Sequence, residues 1–145
     1  MKKQNVIKII AIALLLLGSS ISIFAADSAK KDSVRIDVTY FHATQRCQGC
    51  MTIEELTEST MKDYFAKELK DSSMTYSSVD FLDPKNEHFQ DDYKFEVQTL
   101  IISKKVNGKE VKWKNLEKIW DLYSNPTNYT KYLESEIRKM QKSKD

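Results

Sequence analysis

Cys47 and Cys50 are the only cysteines in the chain, and they stand with two residues between them where the hydrophobic period changes. Before them, Val34, Ile36, Val38 and Tyr40 alternate with Arg35, Asp37, Thr39 and Phe41, the two-residue period of a strand that becomes apolar on both faces toward its end. After them, from Met51 to Leu69, Ile53, Leu56, Met61, Tyr64, Phe65 and Leu69 recur mostly at spacings of three and four, with Glu54, Glu55, Glu58, Lys62 and Lys67 on the other face. That is an amphipathic helix. Acids in its first turns and lysines in its last match the helix dipole, and the capping-box spacing of Thr52 and Glu55 starts it at Thr52 or a few residues earlier.

The rest of the chain supplies the partners this strand and helix need. Thr75–Phe81 reads as a second strand that Asp83-Pro84 ends, and residues 86–95 carry the weaker pattern of a short helix. Two strand-like runs, Val97–Val106 and Glu110–Trp113, meet at Asn107-Gly108, a pair suited to the positive backbone angles of a tight hairpin. Leu116, Ile119, Trp120 and Tyr123 have helical spacing, and Asn125-Pro126 provides a cap and first residue for a terminal helix to about Met140. The first two strands are separated by a crossover helix and so run parallel, while the hairpin is antiparallel. The expectation is a three-layer α/β sandwich around a mixed sheet. Trp113, Trp120 and Tyr123 are expected to fill its core.

The start of the chain has a different character. Lys2, Lys3 and Lys8, an apolar run from Ile9 to Leu17, and small residues before Asp27 follow the order of a secretory signal. The expected organisation is a signal over residues 1–26, a flexible leader over 27–33 and one domain over 34–145. Export follows, with a periplasmic location, and a membrane association arises only if the signal stays uncleaved. Losing residues 1–26 takes three lysines and no acid from 23 basic and 21 acidic side chains, turning the formal charge from +2 to about −1. Such a surface offers nucleic acid no attraction, and that class of function is set aside.

Chemistry concentrates at Cys47-Gln48-Gly49-Cys50. At a strand end and helix start, the Cys47 sulfur faces unsatisfied amides and the positive end of the dipole, and Arg46 beside it adds charge; each favours thiolate. Cys47 is then the nucleophile and Cys50, a turn later and more shielded, the resolving thiol; Gln48 and Gly49 between them are expected, with Arg46, to tune the thiolate, and Gly49 keeps the turn flexible enough for either redox state. Two other readings stay open. The dithiol can capture a soft ion such as Cu(I), or arsenite. The pair can also form an inert structural bond, although a four-residue loop restricts the unfolded chain by only about 2 kcal/mol on the entropic model.

The segment VTYFHATQRCQGC, the helix after it and the TLIIS strand with its NGKE turn resemble a thioredoxin-fold protein over most of the domain. More narrowly, FHATQRCQGC followed by TIE is similar to the ArsF-like family, exported thioredoxin-like proteins linked to a nitrophenyl-compound nitroreductase. The resemblance implies that Cys47 attacks, that Cys50 is its buried partner, and that Gln98 and Thr99 face the motif. Gln98 takes the place of the cis-proline in those proteins, and a trans peptide is expected there. Arg46 replaces their tryptophan, and Phe41 their buried acid.

His42 is a candidate proton acceptor near the thiols, or else a sheet-end residue bonded to backbone. His88 is expected to be exposed. Two cysteines and two distant histidines lack the four close ligands of a structural zinc site. The partner expected is a protein with an exchangeable thiol or disulfide, met by a monomer without organic cofactor.

Overall fold

A computed structural model describes residues 32–144, so the signal segment and the start of the leader lie outside the described residues. Among the described residues, no helix is long and apolar enough to cross a membrane.

Strand β1 (Val34–His42) lies between β2 (Met74–Asp80), which runs parallel to it, and β3 (Thr99–Val106), which runs antiparallel; β4 (Lys109–Asn115) continues the sheet antiparallel to β3, in the order β2-β1-β3-β4. The central position of β1 explains its composition. Ile36, Val38 and Tyr40 point into one core layer, and Phe41 into another on the opposite face.

The first layer is closed by helix α1 (Gln48–Tyr64), its short continuation α2 (Ala66–Lys70), and the terminal helix. The chain breaks between α1 and α2 at Phe65, which is fully buried with the Arg138 guanidinium 5.1 Å from its ring centre. The other face carries α3 (His88–Tyr93), where Phe89 and Tyr93, together with Phe95, surround Phe41 at ring separations of 5.0 to 5.8 Å. On the same face Asp37 is ion-paired with Arg35 and Lys105 and accepts from Thr75. The result is the expected three-layer, thioredoxin-like α/β fold.

The Asn107-Gly108 turn closes the hairpin with φ of 52° and 82°, the left-handed region that glycine enters without steric cost. The Asn107 amide donates to the Ser33 carbonyl at 2.8 Å and its Oδ1 accepts from the Ser33 amide at 3.1 Å, so the described end of the leader meets the turn. Helix α4 (Ile119–Leu122) is a single turn, shorter than its apolar spacing suggested. Helix α5 (Pro126–Lys142) starts as expected, with Asn125 Oδ1 accepting from the Asn128 amide and proline at the first helical position.

Helix α1 begins at Gln48, a few residues before Thr52 as the sequence allowed, and Thr52 Oγ1 donates back to the Gln48 carbonyl inside the helix. Two expectations need correction. The first turn of α1 holds no acid. Trp113 is not in the core: β4 is an edge strand, and the indole stands exposed against Tyr93.

Candidate functional site

The site is built where β1 hands over to α1. Cys47 is the residue that caps α1: its backbone is extended, with φ −83° and ψ 162°, and its Sγ accepts from the Cys50 amide at 3.0 Å. A sulfur thus replaces the hydroxyl or carboxylate oxygen that more often satisfies a free amide at a helix start. The Met51 amide bonds the Cys47 carbonyl at 3.1 Å and completes the first turn. Cys47 is exposed, whereas Cys50 is buried, and the two are joined as a disulfide with Sγ–Sγ 2.09 Å.

The shielded cysteine is held from below. Tyr40 on β1 sends its hydroxyl to the Cys50 carbonyl, 3.0 Å away, and burial pushes its phenol up to about 12, so it remains a donor at ordinary pH. Over the other side of the motif, the ring of Tyr123 comes close enough to Gly49 that an added Cβ would lie 3.3 Å from it. Tyr123 is in turn edge-on to Trp120, and the Trp120 indole donates to the Gln98 carbonyl at 2.9 Å. A continuous run of contacts therefore joins Gln98, before β3, to Gly49 between the two cysteines.

The remaining residues singled out by sequence are distributed as follows. Gln48 is the exposed first residue of α1. Arg46 directs its guanidinium to the Glu54 carboxylate, eight residues along the chain. Thr99 is buried opposite Phe41 and donates its hydroxyl to Asn115 on β4. The polar contacts of Gln98 and Thr99 thus go to Trp120 and Asn115. All peptide bonds among the described residues are trans. His42 is half-buried and its Nδ1 donates to the Ala43 carbonyl at 3.0 Å. His88 is exposed and pairs with Asp92, 2.8 Å away. Among the described residues no three His, Cys, Asp or Glu side chains gather as a metal site.

Comparison with solved structures returns thioredoxins. The chain is 25% identical to a Fasciola hepatica thioredoxin, covering 72% of this chain and 80% of that one at a TM-score of 0.41. It is 21% identical to a Trypanosoma brucei brucei thioredoxin, covering 72% and 76% at 0.39. Thioredoxin O2 from Arabidopsis thaliana, solved in its oxidized state, is 16% identical and covers 65% and 74% at 0.40. No family model matches the chain. No curated protein sequence matches it either.

Tyr40, Glu54, Trp120 and Tyr123 were missed as site residues. Tyr40 carried a signal that went unused, a phenol at an inward position of the strand leading to the motif, where a buried hydroxyl needs a partner. Trp120 and Tyr123 were noticed but assigned to packing, and both are half-buried beside the motif.

Proposed function

We propose that this protein exchanges thiols and disulfides with a partner protein through Cys47 and Cys50. The observation that carries the reading is the asymmetry of the pair: an exposed sulfur at a helix start, bonded to a buried one. The Cys50 amide aimed at Cys47 Sγ favours negative charge there, which makes Cys47 the better nucleophile and the better leaving group of the two.

In one direction the Cys47 thiolate attacks a partner disulfide, forming a mixed disulfide and expelling one partner sulfur as thiolate. Cys50, deprotonated, then attacks Cys47 Sγ and breaks the bond to the second partner sulfur. The partner has gained two electrons and this protein holds the disulfide. The reverse sequence oxidises a partner dithiol. Val97, exposed just before Gln98, and the half-buried Trp120 and Tyr123 supply apolar surface at the same end of the sheet for a partner chain.

The reading includes action outside the cytoplasm, an inference carried by the sequence of residues 1–26 alone. Kinship with the ArsF-like proteins rests on residues 41–50 and the TIE that follows.

The test is a pair of measurements on the purified protein and its Cys47→Ser variant: catalysed insulin reduction or dithiol oxidation, and the reduction potential of the pair. Turnover that disappears with Cys47, at a potential above about −300 mV, supports the reading; an inert bond below that value refutes it. Absence of turnover combined with one-to-one capture of Cu(I) or arsenite would assign the site to ion binding instead.

A further inference from the structure

Glu54 lies four residues beyond Cys50 on α1, about one helical turn along the same face. Its carboxylate holds partners from two other parts of the fold: the Arg46 guanidinium, from the residue just before Cys47, and the hydroxyl of Ser78 on β2. The loop that carries Arg46 is tied down a second time, where Thr44 Oγ1 donates to Asp80 at 2.7 Å. The Arg46 and Glu54 side chains are only 28% and 22% exposed, so water screens their attraction less than it does for an open surface pair. The other groups whose charge or burial meets this pair are the phenols of Tyr40 on β1 and Tyr76 on β2, with Glu58 one turn further along α1 and also facing Tyr76.

We propose that Glu54 sets the reduction potential of the Cys47–Cys50 pair by claiming the Arg46 guanidinium, whose charge would otherwise stabilise the Cys47 thiolate. The proposal rests on the exchange reading above and names the residue that regulates the same site. When two glutathione thiols reduce the protein, they lose two electrons and two protons and become glutathione disulfide. The Cys47–Cys50 bond breaks, Cys50 takes one proton, and Cys47 keeps the negative charge to the extent that its surroundings stabilise it, the second proton going to solvent. Any unpaired positive charge beside Cys47 favours this reduced form and makes the pair more oxidising. Glu54 works against that by neutralising the charge in place. It is a positioning residue, acting on Cys47 through Arg46.

The experiment is equilibration of the full-length protein with glutathione buffers, together with a pH titration of Cys47 alkylation. Glu54→Gln keeps an acceptor for Ser78 but removes the negative charge. It is expected to shift the equilibrium about three- to tenfold toward the reduced protein, the upper figure corresponding to about 30 mV, and to lower the pH midpoint of Cys47 alkylation. In an Arg46→Gln background the same change is expected to shift the equilibrium less than about twofold. Ser78→Ala, which removes the other partner without touching charge, is expected to leave it within about twofold as well. An unchanged potential in Glu54→Gln, an equal shift without Arg46, or an equal shift in Ser78→Ala would each overturn the proposal. A native pair that never equilibrates with glutathione would instead bring down the exchange reading, and this inference with it.

Discussion

Tyr40, buried at the centre of the sheet, donates its hydroxyl to the carbonyl oxygen of Cys50, 3.0 Å away. Strand β1 thus holds the first turn of α1 from inside the core, behind the shielded sulfur. Removing the hydroxyl in Tyr40→Phe leaves the ring packing intact but takes away one buried hydrogen bond. The expected cost is about 1 kcal/mol, seen as a lower urea midpoint with an unchanged slope.

Gly49 and Tyr123 form a second coupled pair. A Cβ at Gly49 would sit 3.3 Å from the Tyr123 ring, tighter than ordinary contact, while alanine gains about 1 kcal/mol over glycine in a helix. These effects oppose each other, so Gly49→Ala should change stability little in the native background. With Tyr123→Ala also present the crowding is gone, and Gly49→Ala should stabilise by about 0.5 to 1 kcal/mol in a denaturation series.

The exposure difference between the two sulfurs predicts which variant traps a partner. Cys50→Ser retains the exposed attacking sulfur but lacks the one that resolves the mixed disulfide. Incubated with oxidised glutathione, it should accumulate a one-to-one glutathione adduct by mass spectrometry. Cys47→Ser, left with a buried sulfur, should form the adduct far more slowly.

Acid should unfold this domain in part through Glu136 on α5. Burial alone would push its carboxyl up, but ion pairs with Lys114 and Lys139, at 2.5 and 2.7 Å, together hold it below its ordinary value of 4.5. The folded state therefore binds its proton less readily than the unfolded state. The stabilisation is complete above about pH 4.5 and is lost as the pH falls through the lowered folded value. Glu136→Gln should lower the urea midpoint at about pH 7, and the difference from the native protein should shrink as the pH falls below about 4.5 and through the lowered folded value. Asp37 acts in the same direction: its contacts with Lys105, Arg35 and Thr75 outweigh its burial.

Much of this architecture is written in local patterns. The alternation through Tyr40, the three-to-four spacing after Met51, Asn107-Gly108 and Asn125-Pro126 each act over a few residues, through side-chain direction, backbone angle or a capped amide. For that reason the four strands, the long helices and the hairpin could be read without coordinates. Thr57 and Thr60 escaped the hydrophobic pattern although they are buried, because their hydroxyls bond to helix carbonyls and to Tyr129 and Thr130 across the α1–α5 contact.

The cysteine pair, its place between strand and helix, and the order of the surrounding elements were determined by the sequence alone, since neighbours along the chain impose them. The companions of the pair were decided only by tertiary structure. Tyr40 meets Cys50 across ten positions, Ser78 meets Glu54 across 24, and Trp120 meets Gln98 across 22. Such meetings depend on how α1 and the short α4 turn dock on the sheet, a sum of packing contacts over the whole core to which no local period gives access.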